Sequence, residues 1–266
     1  MTATAIEAPL PRHPAPSPDG SKIAFSWQGD LWLVPAQGGQ ATRLTAHPAV
    51  ERSPIWSRDG SLIAFASNRH GNNDILVMPV DRSAAPTRLT FASTGDTPEC
   101  FTPDGNSVLF TSQRFEGVSR GLQLWTVSIS GGTPSIVQDA FVLNAAYSPD
   151  GETLAFVRGG TPWTRRGYRG SGSRNLWLRT SNGEYSQLTD FEGDDDQPSW
   201  LDDGTIAFLS ARSGRKNVYQ IEIASGTATQ LTFHEGSAVR FPKASANGRL
   251  IAYEFEDRLW AVSPDG

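Results

Sequence analysis

One short pattern, an Asp-Gly dipeptide or a close variant of it, returns six times and divides nearly the whole chain into units of similar length. The fullest copies are Ser17-Pro18-Asp19-Gly20, Ser57-Arg58-Asp59-Gly60, Thr102-Pro103-Asp104-Gly105 and Ser148-Pro149-Asp150-Gly151, and the looser ones are Asp202-Asp203-Gly204 and Ala246-Asn247-Gly248. Successive glycines of this pattern are 40 to 53 residues apart. Sequence repeats of this length are typical of solenoids, propellers and arrays.

Each unit repeats the same order of short apolar runs. Directly after the glycine comes a run such as Ile23-Ala24-Phe25 or Ile63-Ala64-Phe65, and a second run carries a large side chain such as Trp32. A third run closes five of the units, for example Arg43-Leu44-Thr45, and a fourth precedes each turn, marked by residues such as Trp56. Runs rich in β-branched and aromatic residues, bounded by turn residues, predict strands.

Four antiparallel strands per unit describe one blade of a β-propeller, because a single unit cannot bury both faces of its sheet alone. We therefore expect an all-β protein, a six-bladed β-propeller that forms one domain over residues 1–266. The tryptophans at repeat-equivalent positions are expected to pack between blades. The predicted blades cover residues 11–45, 46–90, 91–138, 139–190, 191–232 and 233–266.

The sixth unit stops directly after the strand that carries Trp260, so its outer strand is missing at this end. Residues 2–7 are a candidate for that strand, because pairing them with blade six would close the ring without an open edge. The alternative is that the chain is a piece of a longer protein and that the ring closes without such a strand. The sequence favours neither.

Charge and composition exclude some classes of partner. The formal net charge is −5, which argues against nucleic acid, since binding to its backbone needs a clustered positive surface. No apolar stretch approaches the ~20 residues of a membrane span, so no membrane partner is expected. A lone cysteine, Cys100, excludes an internal disulfide framework and favours the cytoplasm. A periplasmic or secreted protein without its signal is the alternative.

A continuous stretch of the second unit resembles the amino-terminal propeller of tricorn-like serine peptidases and is similar, more distantly, to the TolB propeller. It runs from His47 to Gly60 and continues through Ile63-Ala64-Phe65-Ala66-Ser67-Asn68-Arg69 and Asn73-Asp74-Ile75-Leu76-Val77-Met78-Pro79. The likeness covers essentially the whole chain. It implies a non-catalytic domain, because in those peptidases the propellers filter the passage of unfolded peptides and a separate domain carries the nucleophile.

The residues themselves offer little sign of catalysis. Gly117-Val118-Ser119-Arg120-Gly121 matches the G-x-S-x-G pattern of hydrolases, but that pattern needs a strand-to-helix turn and here it lies between two predicted strands. The four histidines have no spacing typical of metal ligands. We therefore predict no catalytic residue, no metal site and no cofactor. A propeller enzyme with a metal in its channel is a minor alternative.

Strand order indicates which surface binds. The turns that join the first and second strands are short and alike in every blade, whereas the loops at the other ends of the strands vary in length. Because binding tends to reside in variable loops on a rigid scaffold, we place the functional face there. Its clearest candidate for peptide or partner binding is a basic, aromatic insertion in blade four, with the residues Arg158, Trp163, Arg165, Arg166, Tyr168, Arg169 and Arg174. Basic and aromatic side chains together can hold an acidic peptide, a carboxylate terminus or a single strand of nucleic acid. The alternative is a solvated, flexible loop.

Two further sets of polar residues are expected near the axis. An acidic cluster, Glu192-Gly193-Asp194-Asp195-Asp196, lacks the ordered spacing of a calcium loop and is expected to pair with neighbouring arginines or to be solvated. The innermost strands should line the channel with mixed charges that either grip a peptide backbone or only hydrate the tunnel. The channel-lining candidates are Arg12, Glu51, Arg52, Glu99, Asn144, Gln197 and Arg240.

Two functions of different classes follow from these observations. The first is a non-catalytic propeller that binds or gates polypeptide, or docks a protease domain, in a tricorn-like system. Its partner is an unfolded peptide or another protein domain. The second is a stand-alone, TolB-like interaction scaffold with no link to proteolysis.

Overall fold

The structure, a computed structural model, describes residues 10–114, 121–138, 142–160 and 168–265. In this part of the chain the regular elements are all β-strands, which form six separate antiparallel sheets. The predicted all-β class is therefore confirmed, and so is the sixfold repeat.

The strands follow one another in the predicted order. Those of the first three blades are β1 (Arg12–Pro16), β2 (Lys22–Trp27), β3 (Asp30–Pro35), β4 (Thr42–Arg43), β5 (Glu51–Trp56), β6 (Leu62–Ser67), β7 (Asp74–Pro79), β8 (Thr87–Arg88), β9 (Asp96–Phe101), β10 (Ser107–Ser112), β11 (Gln123–Ser128) and β12 (Ser135–Gln138). Those of the last three are β13 (Leu143–Tyr147), β14 (Thr153–Arg158), β15 (Asn175–Thr180), β16 (Tyr185–Gln187), β17 (Asp195–Trp200), β18 (Thr205–Ser210), β19 (Asn217–Glu222), β20 (Ala228–Gln230), β21 (Arg240–Ala244), β22 (Ile251–Phe255) and β23 (Arg258–Val262).

Each blade is a meander in which sequence order equals spatial order, from the strand nearest the axis to the outer edge. The six inner strands, β1, β5, β9, β13, β17 and β21, contact one another in sequence, and β21 also contacts β1, so the ring is closed. Blade six has three strands among the described residues. The closing strand predicted at residues 2–7 lies outside the described part of the chain.

The entry into blade one matches every other blade junction. In each junction, an amide at or just before the inner strand donates to the carbonyl oxygen of the residue that precedes the third strand of the previous blade. The pairs are Glu51 with Gly29, Asp96 with Asn73, Val142 with Leu122, Asp195 with Arg174, Val239 with Lys216, and Leu10 with Asp257. The start of β1 therefore contacts blade six in the same way as each other inner strand contacts the blade before it.

The repeated Asp-Gly pattern is a hydrogen-bonded turn between the first and second strands. In blade one, the Ser17 hydroxyl donates to Asp19 Oδ1 over 2.6 Å, and the Ser21 amide donates to the same oxygen over 3.0 Å. Gly20 has a φ of +73°, which side chains with a Cβ disfavour. These contacts hold the pKa of Asp19 at about 2, chiefly through the Ser17 hydroxyl, so its carboxylate is ionised at neutral pH.

The two looser copies of the pattern differ in structure. In blade six, Asn247 takes the place of the aspartate, and its side-chain oxygen accepts from the Ser245 hydroxyl over 2.7 Å and from the Arg249 amide over 3.1 Å. In blade five the turn is one residue shorter, and Gly204 has no positive φ. The blade-six copy thus shows that an amide oxygen can replace the carboxylate in this turn.

Apolar clusters join neighbouring blades. The second strand of each blade carries a buried aromatic residue. These residues are Phe25, Phe65, Phe110, Phe156, Phe208 and Tyr253. Five clusters of buried side chains span the junctions from blade one to blade six in sequence. Across junctions, the indole N–H groups of Trp56 and Trp200 donate to the carbonyl oxygens of Ala15 and Ala146, as expected for tryptophans that pack between blades.

The junction that closes the ring, between blades six and one, has polar contacts of its own. Glu254, which is buried, accepts from the Arg12 guanidinium over 3.0 Å and from the His13 amide over 2.6 Å. At the other end of the junction, the Asn247 amide donates to the Pro18 carbonyl oxygen over 3.0 Å. Hydrogen bonds at both ends of the inner strands therefore hold the first blade against the last.

Candidate functional site

The axial channel is lined by inner strands that share one distortion. In five of them, one residue has a positive φ beside a register shift, and these residues are His13, Ser53, Asn144, Gln197 and Phe241. Such β-bulges bend a strand and leave one residue unpaired. The end of the channel near the variable loops, where the inner strands begin, is here called the loop face, and the end at the Asp-Gly turns is here called the turn face.

On the loop face, acidic residues at the start of the inner strands are buried and paired with arginines from the same blade. Glu51 pairs with Arg69, Asp96 with Arg114 and Asp195 with Arg212. Each arginine follows the second strand by two residues and also lies over the buried phenylalanine of that strand. Burial raises the pKa of Glu51 and Asp195, and the arginines oppose that shift.

The acidic cluster at residues 192–196 is part of a buried ion-pair network. Arg174 Nη1 lies 2.6 Å from Asp196 Oδ2, and Lys216 Nζ lies 3.6 Å from Asp194 Oδ2 and 3.4 Å from Asp196 Oδ2. The expected pairing of the cluster with neighbouring arginines is confirmed. Arg174 itself, a candidate for peptide binding, is buried between blades four and five.

The remaining candidates in the blade-four insertion are placed unevenly. Arg158 is exposed at the end of β14, and its guanidinium lies 5.2 Å from the centre of the Trp177 ring. Arg169 is exposed, and the half-buried Tyr168 accepts a hydrogen bond from the Gly172 amide over 3.3 Å. Trp163, Arg165 and Arg166 lie outside the described residues.

The predicted channel-lining residues fall at different depths. Arg12 and Arg240 flank Glu254 at the closing junction, while Arg52 is exposed on the loop face. Asn144 and Gln197 are half-buried at the strand bulges. Glu51 is fully buried in its pair with Arg69, and Glu99 is buried near the axis at the turn face.

One side chain crosses the channel near the turn face. Lys243 of blade six donates from Nζ to the Glu99 carbonyl oxygen over 3.2 Å, and blade three, which carries Glu99, lies opposite blade six in a six-membered ring. The Glu99 carboxylate accepts from the Thr111 hydroxyl over 2.9 Å. Burial raises the pKa of Glu99 to about 7, although the Lys243 charge opposes this shift.

A pocket opens above this crossing on the turn face, with a cavity volume of about 200 Å³. Its walls are mainly apolar and aromatic, formed by residues that include Ile55, Trp56, Phe101, Tyr147 and Trp200. The Arg58 guanidinium reaches over its rim from blade two to blade four, where it donates to the Pro149 carbonyl oxygen over 2.5 Å. Lys243 and Glu99 form the floor of the pocket, on the side that faces the interior of the channel.

The sequence did not predict this pocket. Lys243 and Arg58 were not among the candidate residues, because nothing in their local sequence distinguishes them from solvated surface cations. The aromatic walls carried a signal, since Trp56, Phe101, Tyr147 and Trp200 precede their turns at equivalent positions. These equivalent positions predicted packing between blades. They do not indicate which edges of the aromatic side chains remain accessible.

Three further findings concern metal ligands, helices and the cysteine among the described residues. Within ranges 10–114, 121–138, 142–160 and 168–265, no group of three or more His, Cys, Asp or Glu side chains is placed to hold a metal ion. In the same ranges, no helix is long and apolar enough to cross a membrane. Burial raises the pKa of the Cys100 thiol, which borders the pocket, to about 11, so the thiol is protonated at neutral pH.

Taken together, the closed ring, the meander blades and the axial pocket define a six-bladed β-propeller. Residues 9–266 match the family model described as the tricorn protease N-terminal beta propeller domain, and the chain belongs to that family.

Relatives agree with this assignment. The chain is 29% identical over 250 residues to tricorn protease homolog 1 of Streptomyces coelicolor, an alignment that covers 93% of this chain and 23% of the relative. Among solved structures, a tricorn protease has a TM-score of 0.83 at 19% identity, covering 97% of this chain and 25% of the other. TolB from Acinetobacter baumannii has a TM-score of 0.70 at 21% identity, covering 88% and 57%. The chain thus spans about a quarter of the tricorn-type relatives.

Proposed function

We propose that this chain is a non-catalytic propeller domain that binds polypeptide, or docks a protease domain, within a tricorn-type protease system. The observation that carries this proposal is the family match over residues 9–266, which is nearly the whole chain. Because the chain spans only part of its relatives, the catalytic residues of such a system are expected on another domain. A cytoplasmic compartment, favoured by the lone cysteine, belongs to the same proposal.

The channel geometry supports binding at the mouths more than free passage along the axis. Lys243 reaches from blade six to the opposite blade, so a polypeptide that moves through the ring has to displace this side chain. In the proposal, Lys243 is therefore the element that gates the channel.

The loop face is the proposed capture surface for acidic or carboxylate-bearing polypeptide. Arg158 and Arg169 are exposed there, and Arg52 is exposed at the channel end of the same face. Exposed guanidinium groups form charge-assisted hydrogen bonds with carboxylates. Trp163, Arg165 and Arg166, which the sequence places in the same insertion, are part of the proposal and lie outside the described residues.

Binding to a permanently unfolded protein tests the proposal. Reduced, carboxymethylated α-lactalbumin is titrated against the immobilised chain by biolayer interferometry, with native α-lactalbumin as the control. We expect the unfolded form to bind and the native form not to bind. The double variant Arg158→Ala/Arg169→Ala should bind more weakly, whereas Arg82→Ala/Arg249→Ala, which removes the same charge from exposed sites on the turn face, should not.

Two outcomes would contradict the proposal. Equal binding of native and unfolded α-lactalbumin would show a non-specific surface. No binding of either form, together with recovery of one folded, non-proteolytic partner, would favour the TolB-like scaffold instead.

A further inference from the structure

We infer that the pocket on the turn face holds one bulky apolar side chain of an extended, basic polypeptide segment. This inference rests on the proposed function and adds to it a second binding surface, opposite the loop face, with the opposite charge preference. The occupant is a segment in which lysines or arginines flank a phenylalanine, a leucine or a residue of similar size.

The size and walls of the pocket favour a single side chain. Its volume of about 200 Å³ is below the ~300–1,000 Å³ that is typical of sites for drug-sized ligands. The aromatic walls include Trp56 and Tyr147, which are only half-buried and therefore keep surface accessible to a ligand. An anchor residue in an apolar pocket is the usual centre of a peptide-binding interface.

The floor of the pocket sets its depth. Lys243 lies across the axis on the Glu99 carbonyl oxygen, and the Glu99 carboxylate is held by Thr111. Because each of these groups already has a hydrogen-bond partner, the cost of placing an apolar side chain above them is lowered. The backbone of the occupant therefore stays outside, across the rim of the turns.

The charge of the turns around the pocket determines which residues are expected on either side of the anchor in the bound segment. The six turns between first and second strands carry two guanidinium groups, Arg58 and Arg249, and seven carboxylates: Asp19, Asp59, Asp104, Asp150, Glu152, Asp202 and Asp203. In the described part of the chain, none of these seven carboxylates forms an ion pair. The six turns that border the pocket therefore carry a net formal charge of −5, seven carboxylates less two guanidinium groups.

Hydrogen bonds within the turns keep this rim ionised. Ser57 and Ser61 donate to Asp59 and hold its pKa at about 2, and equivalent contacts lower the pKa of Asp104 and Asp150. A ring of fixed negative charge around an apolar pocket attracts a cationic segment and repels an acidic one. Charge complementarity thus selects the basic occupant.

The anchor is tested with three synthetic peptides of equal length: one with a phenylalanine between lysine pairs, one with glycine in place of the phenylalanine, and one with glutamates in place of the lysines. Binding is measured by isothermal titration calorimetry. We expect the first peptide to bind at least about tenfold more tightly than the glycine peptide, because burial of a phenylalanine side chain alone is worth about that factor. The glutamate peptide should also bind more weakly, because the negative turns repel it.

A filled pocket provides the matched variant. Ala246→Trp places an indole at an exposed residue that borders the pocket, and Ala224→Trp adds the same indole to an exposed turn of the same face outside the pocket. We expect Ala246→Trp to abolish the preference for phenylalanine and Ala224→Trp to retain it. Circular dichroism of both variants checks that the ring is folded.

A second variant tests the charge of the rim. Asn247 shows that asparagine can form this turn, so Asp59→Asn/Asp104→Asn/Asp150→Asn should fold while removing three negative charges. We expect weaker binding of the lysine peptide and a smaller loss of affinity when ionic strength rises to the physiological range.

The outcomes separate this inference from the proposed function. If the lysine–phenylalanine peptide binds Ala246→Trp as tightly as the wild type, or if the glutamate peptide binds equally well, the pocket is not the site. Should unfolded α-lactalbumin still bind through the loop face in that case, the proposed function stands without the pocket. If neither probe binds the wild type, both fail.

Discussion

The two faces of the ring use their carboxylates in opposite ways. On the loop face, Glu51 and Asp195 are buried, and each lies against an arginine of its own blade, so their charge is neutralised locally. On the turn face, Asp19 and Asp59 are exposed and accept hydrogen bonds from the hydroxyl and amide groups of their own turns. The first arrangement ties the inner strand of a blade to the loop after its second strand, and the second leaves negative charge exposed to solvent.

This difference shows why loop length alone is an incomplete guide to binding. Arg158 and Arg169 are exposed on the variable loops. Other charged groups on that face are neutralised in ion pairs, such as the pair of Arg174 with Asp196. The functional face was predicted at the variable loops and not at the uniform turns. They nevertheless border the apolar pocket, and in the described part of the chain their carboxylates form no ion pair. Binding capacity depends on which charges remain unpaired.

The largest effect is expected where a buried carboxylate loses its arginine. Arg114 contacts Asp96 over 2.5 Å, and Asp96 is fully buried. Arg114→Met should lower the free energy of unfolding by about 3–5 kcal/mol, because it leaves an unpaired buried charge. Arg249→Met, at an exposed turn, should change it by less than about 0.5 kcal/mol. Urea denaturation measures both, and equal values would show that the loop-face pairs add nothing to stability.

Two glycines test how tightly the turn face is built. Gly248 has a φ of +69°, and a Cβ there would overlap the Leu201 carbonyl oxygen, whereas Gly105 has a φ of +72° with no atom within 4 Å. Gly105→Ala should cost about 1–2 kcal/mol from backbone strain. Gly248→Ala should cost about 1–3 kcal/mol more, because it also overpacks the junction of blades five and six. Thermal unfolding compares the two variants. An equal decrease in Tm would show that the junction of blades five and six relaxes to accommodate the added methyl group.

Glu99, on the floor of the pocket, should make stability depend on pH. Its pKa is raised from 4.5 to about 7 in the folded chain, so the protonated form is favoured by folding. The associated stability is fully present below pH 4.5 and is lost as pH rises through about 7. The loss is on the order of 3 kcal/mol. The Glu99→Gln variant should lack this loss, measured as the difference from wild type in urea denaturation at several pH values. A difference that is constant with pH would contradict the burial of an ionisable group here.

The smallest effect is expected for a single rim carboxylate. Asp59→Asn should lower stability by less than about 1 kcal/mol at neutral pH, because an amide oxygen accepts the same hydrogen bonds, as Asn247 does in blade six. The depressed pKa of Asp59 means that its contribution is present above its unfolded pKa of 3.8 and is lost as pH falls through about 2. Thermal unfolding at neutral and acidic pH tests both points. If Asp59→Asn lowers the free energy of unfolding as much as Arg114→Met does, the carboxylates of the turn face are as important for stability as the ion pairs of the loop face.

Much of the fold was predictable from the sequence because each blade is a local structure. The Asp-Gly turns, the apolar run after each of them and the large side chain on the third strand all lie within about one unit of the repeat. The pairing of the acidic cluster with neighbouring arginines was predictable for the same reason, since Arg174 and Asp196 belong to adjacent blades.

The candidate site was predictable only in part. The insertion in blade four was visible as a run of arginines and aromatic residues, but the sequence did not show that Arg174 is buried in an ion pair while Arg158 and Arg169 are exposed. The inner-strand bulges were not predicted either. Their positive φ values occur at residues as different as His13, Ser53 and Phe241, so no residue type marks the position.

The sequence by itself determined the number of blades, the order of their strands and the chemistry of the turns, because these depend on contacts between residues close together in the chain. Only the tertiary structure decided what lies at the axis. Lys243 and Glu99, separated by 144 positions, meet there, as do Arg58 and Pro149 from non-adjacent blades. Closing six blades into a ring brings the ends of six distant strands together, and the pocket exists only where they converge.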